Sequence, residues 1–472
     1  MNVVKAAIHS VSWTALATLC KGGLQLVQLI ILARFLTPIE LGLLAMLNLL
    51  IGLAQILGEA GLSNAIIFKQ DISKPELNQL YLVNVGLGFF VTVIIGLLAL
   101  PLESFFAMAG LASLLVLLSP LFFIRSLSQQ QTALLQQKMC FNQLAKLELV
   151  AAIVGFIVLL ILLKFEFRLY AVVLAQLVSA VLFSFALLIL YQSLRPKIVA
   201  PNFRAIKASL KYGGYQSGEG VLNYLGAQLD QLLIGKLLGA ETLGIYAYLK
   251  ALVFRPALQI INPIVNSVAF PLMVKYQHSH SLQQVYLVLL KLLSFINIPL
   301  YLVMACYPQF VLGLVFGDNW LEHAELFKWL AIYMLVIALM NPIGVLLRAS
   351  GEVKRGFYWN FFVSLVRPVV IVIAIGFGVV VLVQVLVLLQ LAFFILHYWV
   401  LIKPIIAVSF GRFIFSSFTT LCVFLTSLAG VILFDSYVYK LSDGIAVIMV
   451  LSIYLLLIFS QIFAMFKLIK RE

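Results

Sequence analysis

Long apolar segments follow one another through most of this chain, and they restrict what it can fold into. Fourteen of them are long enough to cross the ~30 Å hydrocarbon core of a bilayer, which takes about 20 helical residues. They lie at roughly 10–34, 40–67, 77–101, 110–135, 144–164, 168–192, 210–237, 244–274, 284–307, 325–348, 356–379, 381–402, 412–434 and 443–466. Of the 472 residues, 64% are hydrophobic and 10% are charged. The sequence therefore predicts an all-α polytopic membrane protein with about 14 transmembrane helices.

The lysines and arginines between these segments predict the orientation. With a cytoplasmic N-terminus, 19 basic residues fall on the cytoplasmic side and six fall on the opposite side. Basic residues accumulate in the cytoplasmic loops of membrane proteins, so we expect both termini to be cytoplasmic. The net charge of +14 then has a topological explanation, and we expect no nucleic-acid partner. The start of the chain has no signal-peptide cleavage pattern, so the first helix is expected to be retained.

Signatures of catalysis and of metal binding are missing from the sequence. The four cysteines are scattered without CxxC spacing, which predicts neither a metal site nor a disulfide framework. Walker A, GxSxG and HExxH patterns do not occur. We therefore expect a secondary transporter or flippase rather than an enzyme, with no cofactor. Coupling of transport to a proton or sodium gradient is left open.

An internal repeat appears when the sequence is shifted by 202 residues. The aligned pairs include Gly42 with Gly244, Ala45 with Ala247, Asn64 with Asn266 and Phe68 with Phe270. Six helices per half would put both halves in the same orientation, so the repeat is predicted to be parallel, about an axis along the membrane normal. The predicted organisation is a six-helix lobe at 1–192, a cytoplasmic amphipathic linker at 193–211, a second six-helix lobe at 212–404, and two extra helices with a basic tail at 405–472.

Polar residues inside the first and seventh segments align in this repeat. Glu219 and Asp230 are eleven residues apart, so they lie within about 20° of each other on a helical face that also carries Asn223. The first segment has a stripe of its own, formed by Lys21, Gln25 and Gln28. We predict that the stripes form two walls of one cavity, with Asp230 facing Lys21. The alternative is that both stripes only join helices by hydrogen bonds.

Basic residues within the segments suggest the charge of the substrate. Arg255 begins a further stripe with Gln259, Asn262 and Asn266, at i, i+4, i+7 and i+11. The buried bases are Lys21, Arg125, Lys250, Arg255, Lys291 and Arg367, and the buried acids are Glu59, Glu148, Glu219 and Asp230. An excess of bases suits an anionic substrate, with the acids acting as counter-ions or protonatable switches. The candidate cavity residues are Lys21, Gln25, Gln28, Glu59, Arg125, Glu219, Asn223, Asp230, Lys250, Arg255, Gln259, Asn262 and Arg367.

Several runs of the sequence resemble one transporter family. The runs are GEAGLSNAIIFKQDISKPELNQLYLVNVGLG, ALLQQKMCFNQLAKLELV, NYLGAQLDQLLIGKLLGAETLGIYAY, FGDNW and LLRASGEVKRG. Together they resemble the Wzx-like polysaccharide-unit flippases of the multidrug/oligosaccharidyl-lipid/polysaccharide exporter superfamily, nearest the colanic-acid-exporter-like subgroup. Asp230 in LDQLLIG and Glu59 before GLS match that family, whereas Arg255 and Arg367 are chosen for their burial.

The resemblance implies two six-helix lobes with two extra helices in a bacterial inner membrane. It also implies a substrate, an undecaprenyl-diphosphate-linked oligosaccharide carried from the inner to the outer leaflet for lipopolysaccharide or exopolysaccharide synthesis. A polymerase and chain-length proteins are the implied partners. One alternative is a cation-coupled drug exporter of the same superfamily, which would carry more buried carboxylates. Another is a membrane polysaccharide polymerase, which would have a long basic outer loop. A scaffold protein is the third.

Overall fold

The computed structural model describes residues 3–59, 61–69, 72–194, 206–276, 281–437 and 442–469, and these ranges contain helices but no β-strand. Within these ranges, fourteen long helices follow one another. They are α1 (Val3–Phe35), α2 (Pro38–Glu59), α3 (Lys74–Phe106), α4 (Leu111–Gln137), α5 (Phe141–Lys164), α6 (Arg168–Leu190), α7 (Lys207–Leu237), α8 (Gly239–Lys275), α9 (Ser281–Cys306), α10 (Asp318–Ala349), α11 (Val353–Ile375), α12 (Val379–Ile406), α13 (Phe410–Tyr437) and α14 (Asp443–Ile469). Two short helices, Leu62–Phe68 and Pro308–Val315, lie in the connections before α3 and α10.

Each predicted membrane segment coincides with one of these helices. Among the described residues, eleven helices are long and apolar enough to cross a membrane. The other three are α1, α7 and α14. The side chains of residues 1–18 in α1 and 460–469 in α14 are outside the described part, and α7 carries Glu219, Asp230 and several glycines and glutamines. The prediction of an all-α polytopic membrane protein is confirmed.

The helices divide into two compact units, Met1–Tyr248 and Leu249–Glu472. The first unit contains α1 to α7 and the beginning of α8. Helix α7 belongs to it because it packs along α2 and against the short helix Leu62–Phe68. The first unit therefore extends beyond the six helices of the first repeat and includes the first helix of the second.

The predicted linker at 193–211 falls partly outside the described residues, which omit 195–205. Residues 207–211 belong to the start of α7. The apolar members of the amphipathic pattern face protein, because Ile206 is fully buried against Leu62 and Ile66, and Leu210 packs on the same cluster. On the polar side, the Ser209 hydroxyl donates to Glu76 Oε1 at 3.2 Å.

Prolines interrupt some helices and leave others continuous. Pro120 begins the second part of α4, Pro256 begins a π-helical turn in α8, and Pro342 begins the second part of α10. Pro299 and Pro368 lie inside helices that continue without a break. Proline lacks the backbone N–H and clashes with the preceding turn, but the surrounding packing decides whether the helix breaks.

The interruption in α4 is satisfied by a side chain from α3. Thr92 Oγ1 donates to the Ser119 carbonyl at 3.0 Å and accepts from the Phe123 N–H at 3.2 Å. The Thr92 hydroxyl therefore bridges the Ser119 carbonyl and the Phe123 N–H. The Ser119 hydroxyl donates to the Val116 carbonyl at 3.0 Å, which has no N–H partner at Pro120.

Helices α3 and α4 also approach each other closely at Ser126, after the break in α4. Gly88 of α3 is buried, and a Cβ placed on it would overlap the Ser126 side chain of α4. Asn84, one turn earlier, donates from Nδ2 to the Ser126 carbonyl at 2.8 Å. Gly86 lies on the opposite face, where a Cβ would have no heavy atom within 4 Å. The glycine at position 88 thus permits the packing of these two helices.

Apolar clusters join the helices of the second unit. One joins α8, α9, α10, α12 and the start of α13, where the Tyr398 hydroxyl donates to the Val408 carbonyl at 2.7 Å. The other packs α13 and α14 onto α9, and the Tyr454 hydroxyl donates to the Phe295 carbonyl at 2.9 Å. The two C-terminal helices that lie outside the repeat are therefore attached to α9.

Candidate functional site

A charged cluster lies among α1, α2, α4 and α5 in the first unit, and we define it as Lys21, Gln55, Glu59, Arg125 and Glu148. Lys21 Nζ is 2.8 Å from Glu148 Oε2. Arg125 Nη1 donates to Gln55 Oε1 at 2.8 Å, and Gln55 Nε2 donates to Glu59 Oε1 at 3.1 Å. Glu59 and Glu148 both interact electrostatically with Arg125. Two bases and two acids therefore share one region of an otherwise apolar bundle.

Helical spacing explains how the cluster is assembled. Gln55 and Glu59 are four residues apart, so they lie on the same face of α2. The polar face of α4 continues one turn beyond Arg125 to Gln129, whose Nε2 donates to Ser63 Oγ at 3.1 Å. Four separate helices each supply at least one member, so the cluster exists only in the folded protein.

The ion pair in the cluster is open to its surroundings. The Lys21 and Glu148 side chains are 42% and 41% exposed. Partly exposed ion pairs contribute little net stability, about 0–1 kcal/mol, so separating them costs little free energy. Lys21 and Glu148 are therefore available to a ligand.

The cluster contains three of the predicted cavity residues, Lys21, Glu59 and Arg125, and Glu148, which was predicted as a counter-ion. Gln25 and Gln28 follow Lys21 along α1 and are partly exposed. Gln55 was not predicted, although its i, i+4 spacing to Glu59 was a visible signal. No group of three or more His, Cys, Asp or Glu side chains suited to a metal ion occurs in the part of the chain that the structure describes.

Asp230 of α7 has a different environment. It is buried, its Oδ2 accepts from the Tyr246 hydroxyl at 2.6 Å, and its Oδ1 accepts from the Gln231 N–H at 2.9 Å. Glu219 and Asn223 are exposed, although the helical spacing places them on the same face. Asp230 and Lys21 were predicted to face each other. In the structure Asp230 bonds to Tyr246, whereas Lys21 pairs with Glu148.

We expect two conservative substitutions to separate the charge of Asp230 from its hydrogen bond. Tyr246→Phe removes the hydroxyl from a fully buried ring and leaves a carboxylate oxygen without that donor, which generally costs about 1–3 kcal/mol. Asp230→Asn keeps an oxygen that accepts from Tyr246 but removes the charge. Apparent melting temperature in detergent should fall for Tyr246→Phe and fall less for Asp230→Asn. Equal losses would show that the charge itself stabilises the fold.

The predicted stripe on α8 is split by the π-helical turn at Pro256–Ile261. A π turn takes one residue more than an α turn, so the 100° spacing used in the prediction does not hold there. Gln259 is exposed, Asn262 is buried, and Asn266 accepts from Asn341 Nδ2 at 3.1 Å. The face predicted from Arg255 is therefore interrupted at this turn. Pro256 was the sequence signal for the irregularity.

Two of the predicted bases of the second unit, Lys250 and Arg367, contact an aromatic ring and an amide. Lys250 Nζ lies 5.5 Å from the centre of the Phe254 ring. Arg367 Nη2 donates to Gln390 Oε1 at 3.4 Å, and Gln390 Nε2 contacts Met340 Sδ at 2.9 Å.

Comparison with known proteins agrees with the fold. Residues 31–325, more than half of the chain, match the family described as "Polysaccharide biosynthesis protein". The chain is 31% identical over 370 residues to "Teichuronic acid biosynthesis protein TuaB" of Bacillus subtilis (strain 168), covering 77% of this chain and 76% of that protein. It is 30% identical over 424 residues to "Lipopolysaccharide biosynthesis protein WzxC" of Escherichia coli (strain K12), covering 88% and 85%.

A solved structure shows the same fold at low sequence identity. The structure titled "Lipid II flippase MurJ, inward closed conformation" superposes with a TM-score of 0.76 at 14% identity, over 95% of this chain and 98% of that one. The family match runs from the end of α1 through α9 to the start of α10, and the similarity to WzxC extends over most of the sequence. The chain therefore belongs to the polysaccharide biosynthesis protein family, in the Wzx-like branch of the multidrug/oligosaccharidyl-lipid/polysaccharide exporter superfamily.

Proposed function

We propose that this protein is a flippase that moves a lipid-linked polysaccharide repeat unit across a bacterial inner membrane. The proposed substrate is an oligosaccharide on undecaprenyl diphosphate, and the proposed direction is from the cytoplasmic to the outer leaflet. The observation that carries the proposal is the charged cluster, where Lys21 and Arg125 lie inside an apolar helical bundle. Relatives named for teichuronic acid and lipopolysaccharide biosynthesis support the substrate class.

The two cations suit a diphosphate for different reasons. A guanidinium presents several N–H donors in a plane and binds phosphate oxygens in pairs, whereas an ammonium acts as a compact point charge. Arg125 uses Nη1 on the neutral Gln55 amide, a partner that an anion can displace more readily than a carboxylate. Lys21 is held by Glu148 across a partly exposed pair. We infer that the headgroup takes Lys21 from Glu148 when it enters.

Glu148 then has a second role in release. Its carboxylate competes with the headgroup for Lys21, so the bound state is kept from becoming too stable to leave. A carrier must bind its substrate and also release it. A substrate shifts the carrier between two conformations only if it binds them with different affinities. Amides near the cluster, such as Gln129, offer hydrogen bonds to sugar hydroxyls. The cytoplasmic location of both termini and the supply of substrate to a polymerase and chain-length proteins belong to the same proposal.

Neutralising the Lys21–Glu148 pair tests the proposal through the kinetics. In vesicles containing lipid-linked oligosaccharide, Lys21→Gln should raise KM by about tenfold, equivalent to ~1.4 kcal/mol of binding. Glu148→Gln should lower both KM and kcat, because Lys21 then holds the headgroup without competition. The double variant should resemble Lys21→Gln, since the capturing charge is absent in both.

An ion pair at the opposite end of α2 supplies the matched control. Arg168 Nε and Nη2 both bond to the Glu40 carboxylate at 2.6 Å. Neutralising Glu40 and Arg168 together should leave KM unchanged, since they lie far along the helix from the cluster. If the double variant of Lys21 and Glu148 instead restores wild-type kinetics, the pair only joins helices, because removing both partners of a structural bond is nearly neutral.

A further inference from the structure

Two glycines at equivalent positions of the internal repeat meet where α2 and α8 begin. A Cβ on Gly42 would overlap the carbonyl oxygen of Ala240, and a Cβ on Gly244 would overlap the carbonyl oxygen of Pro38. Gly42 and Gly244 are separated by 202 residues, and so are Pro38 and Ala240. Each glycine therefore packs on the backbone at the start of the other helix. We call these four residues the reciprocal glycine contact.

This contact differs from the packing of α2 against α7 farther along α2. At Gly52, α2 packs against the ring of Tyr224 of α7, whose hydroxyl also donates to the Leu49 carbonyl at 3.0 Å. That contact is anchored by a large side chain and a hydrogen bond. The reciprocal glycine contact joins backbone to backbone, as small residues allow in membranes. Beside it, the buried side chains of Met46 on α2 and Leu243 on α8 both pack against Gly235 of α7.

The location of the contact relates it to the charged cluster. Gly42 and Gln55 are 13 residues apart on α2, which corresponds to about 20 Å of helix. The cluster lies toward the end of α2 that the predicted orientation assigns to the cytoplasm, and the reciprocal glycine contact lies toward the outer end. A headgroup held at the cluster would be separated from the outer side by this contact.

We propose that the reciprocal glycine contact closes the outer end of the translocation path between α1–α2 and α7–α8, and that these helix ends separate and rejoin in each transport cycle. The transport role rests on the proposed flippase function, whereas the closure itself can be measured without substrate. Because the contact is reciprocal, one displacement of α2 from α8 breaks both halves together. The contact therefore behaves as a single two-state element.

Alanine substitutions test the closure. Gly42→Ala and Gly244→Ala should each raise the hydrogen-exchange rate of both helix starts at least fivefold, including the start of the helix that carries no substitution. In whole cells, a cysteine replacing Gln28 in a background without native cysteines should react at least fivefold faster with a membrane-impermeant maleimide. Gly226→Ala on α7, where a Cβ has no heavy atom within 4 Å, is the matched control and should change neither rate.

The double variant distinguishes one shared contact from two independent ones. Once the first alanine has displaced α2 from α8, the second alanine should raise the exchange and labelling rates by less than a further twofold. That result is a strong departure from additivity. If the rate increases of the two single variants multiply in the double variant, the two glycines act independently and the single shared contact is overturned. Faster exchange with unchanged maleimide labelling would show static packing and overturn the closure. If wild-type protein transports no lipid-linked oligosaccharide while the labelling differences persist, the flippase function is overturned and the closure stands.

A second pair of substitutions avoids adding a side chain at either glycine. Ala45 and Ala247 lie one turn further along α2 and α8 and are repeat equivalents. Cysteines at both positions should form a disulfide on oxidation that blocks outer labelling and transport, and reduction should restore both. A crosslinked protein in which transport continues would overturn the proposal.

Discussion

Translocation of a lipid-linked oligosaccharide is expected to fall at least tenfold when Arg125 is replaced by alanine. The guanidinium is the cation that Glu59 and Glu148 share, and it holds the Gln55 amide. Without it, two carboxylates remain near the place where we propose the diphosphate binds, and they would repel the headgroup. A tenfold loss corresponds to about 1.4 kcal/mol of transition-state stabilisation. The measurement is the initial rate in reconstituted vesicles at matched protein amounts.

Two companion variants separate binding from folding in this experiment. Arg125→Lys keeps the charge without the planar set of donors, so it should retain an intermediate rate. Arg125→Ala combined with Glu59→Gln removes one of the uncompensated acids, which should recover any lost thermal stability while the rate stays low. Arg412→Ala, at an exposed arginine near the start of α13, should behave as wild type. A wild-type rate for Arg125→Ala would exclude the charged cluster as the headgroup site.

Valine at position 88 is expected to lower the apparent melting temperature and the yield of folded protein sharply. The new side chain would overlap Ser126 and the backbone of α4 at Phe122. Forcing extra volume into packed helices costs about 1–3 kcal/mol and sometimes more. Separating α3 from α4 would also strain the bond between Asn84 and the Ser126 carbonyl. Fluorescence-detected gel filtration after a heating series provides the measurement.

Gly86→Val is the matched control for this experiment. The same substitution is made in the same helix two residues away, at an exposed position with open space for a Cβ. Both variants carry the same cost of valine in a helix, so their difference reports packing alone. Similar melting temperatures for the two variants would show that the contact between α3 and α4 tolerates a larger side chain than its geometry indicates.

The arrangement of the helices along the chain was predictable from the sequence by itself. A bilayer core leaves backbone groups no water to pair with, so each long apolar segment has to form its own helix. This argument located all 14 helices, and the 202-residue offset identified Gly42 and Gly244 as equivalents before their contact was known. Buried charges in apolar segments are costly, so their presence also marked Lys21, Glu59 and Arg125 as candidates.

The partner of each polar side chain was decided only by the tertiary structure. Spacing along a helix gives the face on which a residue lies, but not which neighbouring helix meets that face. Asp230 therefore pairs with Tyr246, and Lys21 pairs with Glu148, although the repeat suggested that they face each other. The π-helical turn after Arg255 changed the face itself, because it altered the rotation per residue. Periodicity is a local property of one helix, whereas pairing depends on how several helices pack together.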